Sequence, residues 1–253
     1  MIKIENIVLT SPAQWKAVIR GMRNPMNSWN KSDSYSTHVE NPETGNTGGF
    51  EFFIGENDMK LMKTLVNAGS DDRKFLRMIP VWMDVTAPLY YFKEMDTYKV
   101  GTVSNSCSTM HKIHSKEFTL DDFSHEHLIT PAKDHLEDVI RALNDYRDMY
   151  LKWDILDDLL HKAFDYDRKN VWWQMIQLLP SSYNQKRTVF LNFEVLLNMY
   201  HARKNHKLDE WRKFCKVIEE IPYFKEICLS SEPVFFVTKK EYEDETNDKK
   251  TIH

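Results

Sequence analysis

The chain has 253 residues, a formal net charge of -4, seven glycines and three cysteines. At this length it can bury a substantial core. No Pro/Gly/Ser-rich linker divides it, so one domain is expected over residues 1–240, followed by a charged, disordered tail at 241–253. The negative balance gives no electrostatic basis for nonspecific nucleic-acid binding, and no apolar run is long enough to span a bilayer. The opening MIKIENIVLT lacks a signal-peptide pattern. Cys107, Cys215 and Cys228 form neither a CxxC pair nor a disulfide framework. The expected setting is therefore a reducing cytoplasm, without nucleic-acid or membrane partners.

In chain order, Ile2 to Leu9 alternates as a strand, and Ser11-Pro12 caps a helix running to Met22. Trp15, Val18, Ile19 and Met22 keep helical spacing in that segment. Asn24 to Phe50 is rich in Asn, Ser, Thr, Pro and Gly and is expected to be a long loop. Asn57 to Asn67 is a short amphipathic helix stopped near Gly69, and Phe75 to Thr86 is a buried strand ended by Ala87-Pro88. Thr119 precedes Leu120-Asp121-Asp122 as a helix cap. His135 to Ala163 and Val171 to Leu178 are helical in pattern.

Several residues invite chemistry. The Ser/Thr-rich stretch from Thr102 to Thr109 is suited to giving hydroxyl and backbone N–H groups to a phosphate, although a polar surface turn has the same composition. Cys107 within it has no identifiable base and reads as a small loop residue. His111, His114, His125 and His127 match no zinc spacing, so no metal site is expected. Tyr90-Tyr91-Phe92, Trp172-Trp173 and Tyr183 are aromatic groups able to stack on a flat ligand, although most such residues belong to a core. Farther on, Val195, Leu196, Met199, Tyr200 and Ala202 make an apolar stripe, with Asn192, Arg203 and Lys207 as polar positions along or beyond it. An Asn and an Arg beside an apolar wall suit a planar phosphorylated ligand. The residues alone favour the plainer reading, an Arg capping a helix C-terminus.

Two stretches resemble the flavin-dependent thymidylate synthases. Leu179 to Trp211 reads LPSSYNQKRTVFLNFEVLLNMYHARKNHKLDEW and keeps the family's Leu-Pro pair, the helix-opening Asn192, and Arg203 eleven residues beyond it. Ala87 to His111 resembles the segment leading into the R-H-R-x-x-S-x-N-x-x-S-x-R-Y signature. Thr97, Tyr98 and Lys99 fall on R-H-R, Thr102 on the first Ser, Asn105 on the Asn, Ser108 on the second Ser, Met110 on the last Arg and His111 on the Tyr. The departures are chemical. Lys99 alone keeps a positive charge in the triplet, and a Lys cannot reproduce a guanidinium fork. Trp173, Met175 and Ile176 occupy the E-x-A-R element before Leu179-Pro180, and Glu194 stands where the family often has an Arg.

The resemblance implies an α+β subunit, helix-rich, with a central antiparallel sheet flanked by long helices, assembling as a homotetramer with active sites between subunits. It implies FAD as cofactor, a pyrimidine deoxynucleotide of the dUMP type as substrate, and a folate or other carbon donor for methylation or other modification at C5. By the same resemblance, Arg203 is the catalytic group that polarises the pyrimidine. Lys99, Tyr98, Thr102, Asn192 and Lys207 hold the cofactor, and Asn105, Ser108, His111, Tyr183 and Arg203 hold the substrate. The alternative expectation is a non-catalytic scaffold of the same fold, or a flavin-free nucleotide-binding protein.

Overall fold

The computed structural model describes residues 1–40, 47–156 and 166–230. In chain order its elements are β1 (Lys3–Val8), α1 (Pro12–Arg23), β2 (Tyr35–Glu40), β3 (Thr47–Phe53), α2 (Glu56–Ala68), β4 (Pro80–Pro88), α3 (Leu89–Met95), β5 (Val103–Ser106), α4 (Thr130–Leu151), α5 (Arg168–Leu178), β6 (Asn184–Asn192), α6 (Phe193–Arg203) and α7 (Asp209–Glu219). The chain divides into two compact units. Among the described residues one comprises Met1–Gln14 with Leu76–Glu220, and the other Trp15–Phe75 with residues 221–230.

The first unit is built on an antiparallel sheet ordered β1-β4-β6-β5. β4 and β6 pair along their whole length, from Pro80 opposite Asn192 to Pro88 opposite Asn184. Alternation then decides the faces, because successive side chains of a strand point to opposite sides. Val81, Met83, Val85 and Ala87 of β4 are fully buried, and Val189 and Leu191 of β6 share that face. Trp82, Asp84 and Thr86 take the other, half-buried face, where Trp82 meets Phe190 with ring centroids 5.1 Å apart. On the buried face, Arg187 lies 4.0 Å above the Phe92 ring and pairs with Asp96 at 2.7 Å. α6 and α7 add Leu196, Met199, Trp211, Phe214 and Ile218 to the buried set. A second cluster joins Leu136, Ile140 and Leu143 of α4 to Met175 of α5, with Ile113, Phe118 and Phe123 from the segment before α4.

The second unit centres on a buried charge pair. Arg23, at the end of α1, donates Nε to Asp58 Oδ1 at 2.5 Å, and both side chains are almost wholly excluded from solvent. Asp58 Oδ2 accepts four further donors: the hydroxyls of Ser32 (2.7 Å) and Ser34 (2.6 Å) and the backbone N–H groups of Asp33 (3.3 Å) and Ser34 (3.2 Å). Such a set meets the requirement that a buried charge be paired and hydrogen-bonded. Asp33 in turn accepts the N–H groups of Asn57 (2.9 Å) and Asp58 (3.2 Å), which satisfies orphan donors in the first turn of α2. Gly55 precedes that turn, and a Cβ there would lie 2.2 Å from the Asp33 carboxyl carbon. Trp15 stacks on Phe52 at 6.0 Å and meets Tyr223 edge-on at 5.7 Å.

The structure departs from the sequence reading in four places. The segment 24–50 is not one long loop. It contains two 3-10 turns and β2, and it ends inside β3, whose antiparallel partner is β2. The aromatic content of Tyr35, Phe50, Phe52 and Phe53 outweighed the turn-rich composition between them. The strand expected over 75–86 begins only at Pro80, because Arg73–Met78 closes a 3-10 turn, and it runs through Ala87-Pro88 instead of ending there. β6 lies within a stretch read only as polar and aromatic. The helix expected over 135–163 begins earlier, at Thr130, and ends at Leu151, where Lys152 breaks it; residues 157–163 and the 241–253 tail lie outside the described residues.

Replacing Asp58 by Ala is expected to lower unfolding stability by about 3–5 kcal/mol, as measured by denaturant titration, because it leaves Arg23 buried without its partner. Burial pushes the Asp58 carboxyl up, but the hydrogen bonds from Ser34, Ser32 and Arg23 and the Arg23 charge outweigh it, so its folded value lies below the ordinary one. The stabilisation is therefore present above the unfolded aspartate value and is lost as pH falls through the folded one. Melting curves below about pH 4 should show a steeper fall for the wild type than for Asp58→Asn.

Candidate functional site

Of the expected site residues β5 carries Asn105 and β6 ends at Asn192; Ser108, His111 and Tyr183 flank one end of these strands, and Tyr98, Lys99, Thr102, Arg203 and Lys207 lie before β5 or beyond β6. Asn105 pairs with Thr188 and Ser106 with Arg187. The ladder continues past the strand end, where Cys107 N–H donates to the Lys186 carbonyl at 2.9 Å and Gln185 Nε2 donates to the Cys107 carbonyl at 2.9 Å. The chain then turns, with Ser108 Oγ accepting the His111 N–H at 2.9 Å.

This turn forms one wall of a cavity of about 530 Å3, to which Ser108, Lys112, Tyr183, Asn184, Gln185 and Lys186 contribute. Tyr183 is held by Phe123 at 5.6 Å and Phe118 at 6.4 Å, and burial raises its hydroxyl pKa above the ordinary value. The Oδ1 atom of Asn184 is buried without a hydrogen-bond partner. Lys116 is paired with Asp122, and Lys186 with Asp84 at 3.0 Å. Hydrogen bonds from Thr188, Asn6 and Lys186 bring Asp84 down to about 2. Hydrogen bonding to Asp84, with its charge, holds Lys186 above its ordinary value. Lys112 has no ion-pair partner among the described residues. The cavity, which Asp121 and Asp122 also line, thus combines an unsatisfied amide acceptor, an aromatic ring, and ammonium groups of which Lys116 and Lys186 are paired with carboxylates.

The second group gathers toward the other end of the same strands. Asn192 caps α6, its Oδ1 accepting the Val195 N–H at 3.0 Å, while its Nδ2 donates to the Gly101 carbonyl at 3.4 Å. Gly101 has a φ of 78°, and a Cβ on it would stand 2.7 Å from Asn192 Nδ2. The Thr102 hydroxyl is buried without a partner. Arg203 donates Nη1 to Glu94 Oε2 at 2.7 Å and Nε to the Tyr98 hydroxyl at 3.0 Å, with its guanidinium 5.0 Å from the Trp211 ring. The same Glu94 oxygen accepts Trp211 Nε1 at 3.0 Å and lies 3.3 Å from His206 Nε2. Lys99 and Lys207 are exposed, and the Lys207 carbonyl accepts Arg212 Nη1 at 2.9 Å.

The structure therefore brings Ser108 and Tyr183 together in one cavity and places Asn105 on the exposed strand leading to it. His111 lines a different cavity. Tyr98, Asn192 and Arg203 make contacts within the protein that occupy the groups expected to face ligands. Of the set expected to hold a flavin, the Asn192 amide and the Tyr98 hydroxyl are engaged within the protein, and Lys99 and Lys207 stand exposed. Sequence reasoning missed Glu94, which has no motif and reaches Arg203 only through the fold. It also missed Asn184, Lys112 and Lys186, although the Tyr183-Asn184-Gln185-Lys186 run of polar groups beside an aromatic was visible. Among the described residues no helix is long and apolar enough to cross a membrane.

No protein-family model and no curated protein matches the chain. Solved structures do. Thymidylate synthase X (ThyX) from Helicobacter pylori with FAD and dUMP superposes with a TM-score of 0.53 at 13% identity, covering 89% of this chain and 94% of that one. A second structure of the flavin-dependent thymidylate synthase ThyX from the same organism, complexed with FAD and dUMP, gives the same TM-score and identity and covers 95% of its own chain. The antiparallel β1-β4-β6-β5 sheet with its surrounding helices is thus a ThyX-like α+β fold.

Proposed function

We propose that the chain binds a pyrimidine deoxynucleotide of the dUMP type in the cavity between Ser108 and Lys186, as a divergent protein of the flavin-dependent thymidylate synthase kind. The observation that carries this reading is the buried, unpartnered Asn184 Oδ1 in a cavity that also holds an aromatic ring and ammonium groups. A uracil ring presents an imide N–H, which is the donor a lone amide oxygen requires. An unpaired acceptor of this kind costs about 1–3 kcal/mol, which a matching ligand recovers. Lys112 supplies a point charge for the phosphate, and Ser108 supplies a hydroxyl. The dUMP held by the structural neighbours supports the choice of ligand class.

Modification at pyrimidine C5, with FAD as the redox group and a folate as carbon donor, belongs to this reading if a second copy of the chain completes the flavin site in a homo-oligomer. The second reading, a flavin-free nucleotide-binding protein, is favoured by one specific observation: the Asn192 amide expected to face the cofactor is engaged with the Val195 N–H and the Gly101 carbonyl.

Calorimetry with dUMP tests the proposal. Asn184→Leu and Lys112→Ala are each expected to weaken dUMP binding about tenfold, and absence of dUMP binding to the wild type removes the proposal. An absorbance spectrum after incubation with FAD separates the two readings, since flavin bands that shift on adding dUMP require the flavoenzyme form. Arg203→Ala is expected to cost about 1–2 kcal/mol of stability with little change in dUMP affinity. A selective loss of affinity at unchanged stability would assign Arg203 to the substrate.

A further inference from the structure

Positive charge also collects where the dUMP cavity does not reach. A cavity of about 410 Å3 lies among α4, α5 and the turn after β5, lined by Met110, His111, His114, Tyr150, Arg168, Lys169 and Trp172. It shares none of these residues with the Asn184 cavity. No carboxylate lines it among the described residues, although the chain as a whole is acidic. Such a local excess of one sign in a concave site concentrates the opposite charge.

The geometry of the walls is specific. Arg168 places its guanidinium 4.5 Å from the centre of the Tyr150 ring, and the His114 ring lies 4.7 Å from the same ring. Trp172 donates Nε1 to the Met110 carbonyl at 3.0 Å, which fixes the indole beside the turn. Arg147 donates to the His114 carbonyl at 3.1 Å and pins the main chain there. Neither Arg168 nor Lys169 has an ion-pair partner among the described residues. Asp167, the neighbouring acid, is occupied in capping α5 through the Asn170 N–H at 2.7 Å.

His114 supplies the second, independent sign of a ligand. Its Nδ1 is buried and has no hydrogen-bond partner. Burial, followed by the charges of Lys112, Arg168 and Arg147, lowers its proton affinity below the ordinary value. A bound anion would neutralise part of that field and satisfy the orphan nitrogen at once.

We propose that this cavity binds a phosphorylated planar heterocycle, with Arg168, Lys169 and His111 taking the phosphate, Trp172 and Tyr150 flanking the ring, and His114 offering Nδ1 as a polar contact. Arginine suits the phosphate because its fork can bind two oxygens together. The volume lies in the range of small-molecule sites. The proposal does not depend on the dUMP reading.

The test uses the full chain with adenosine 5′-monophosphate, inorganic phosphate and adenosine, followed by calorimetry and by the histidine ring signals in NMR. The monophosphate is expected to bind and to move the His114 titration to higher pH, inorganic phosphate to do so more weakly, and adenosine to leave it unchanged. Arg168→Ala and Lys169→Ala, both exposed positions, should each weaken the monophosphate about tenfold or more without altering dUMP binding. A His114 titration unmoved by the monophosphate would falsify the site. Binding removed by Asn184→Leu but untouched by Arg168→Ala would equally overturn it, by placing the ligand in the other cavity.

Discussion

The pairing of β4 with β6 is the constraint from which the rest of the first unit follows. Nine consecutive partners, from Pro80 with Asn192 to Pro88 with Asn184, leave no freedom of register. A slip by one residue would turn Val81, Met83 and Val85 out of the core and bring Trp82 and Asp84 into it. The same register delivers Asn184, Gln185 and Lys186 to one end of β6 and Asn192 to the other. The two groups of polar residues are thus separated by the length of one strand. Their separation is a property of the sheet and not of any loop.

Glu94 illustrates how a fold can reassign a residue whose type suggests another role. A guanidinium near an apolar wall is a natural anion receptor, and the spacing from Asn192 to Arg203 points the same way. In the folded chain the fork already has a carboxylate, a tyrosine hydroxyl and an indole face as neighbours. Releasing it requires that Glu94 keep other partners, and Trp211 and His206 are in place to provide them. The carboxylate is therefore a junction that ties α3 to α6 and α7.

Much of this architecture was legible in the residues. The helix after Ser11-Pro12 and Thr119 before the Leu120–Asp122 turn appear where local chemistry placed them, and Asn192 opens α6 as the resemblance implied. These signals are short-range, depending on side chains within three or four positions. What could not be read was long-range or contradictory. β6 has Arg187 and Gln185 on its buried face, so its alternation is weak, and it forms because β4 supplies an apolar partner. The β2–β3 pair was hidden by glycine and threonine next to its aromatics. Arg23 and Asp58 are 35 positions apart, and nothing in either helix announces that they meet. Of the site, the family resemblance led to Ser108 and Tyr183. Only the fold shows that Asn184 completes a cavity with them, because an orphaned acceptor is defined by what is missing around it.

The turn at Gly101 has a consequence for how this lineage can vary. Its backbone sits in a conformation that side chains rarely adopt, and the space beside its α-carbon is filled by the amide that caps α6. The two constraints act together, since moving the amide aside would uncap the helix. Lys99 and Val100, both exposed on the preceding residues, face neither restriction. Across descendants of this sequence, the turn should therefore drift freely in charge and bulk up to position 100 and then stop at a single invariant glycine, a mark of helix capping written into a neighbouring loop.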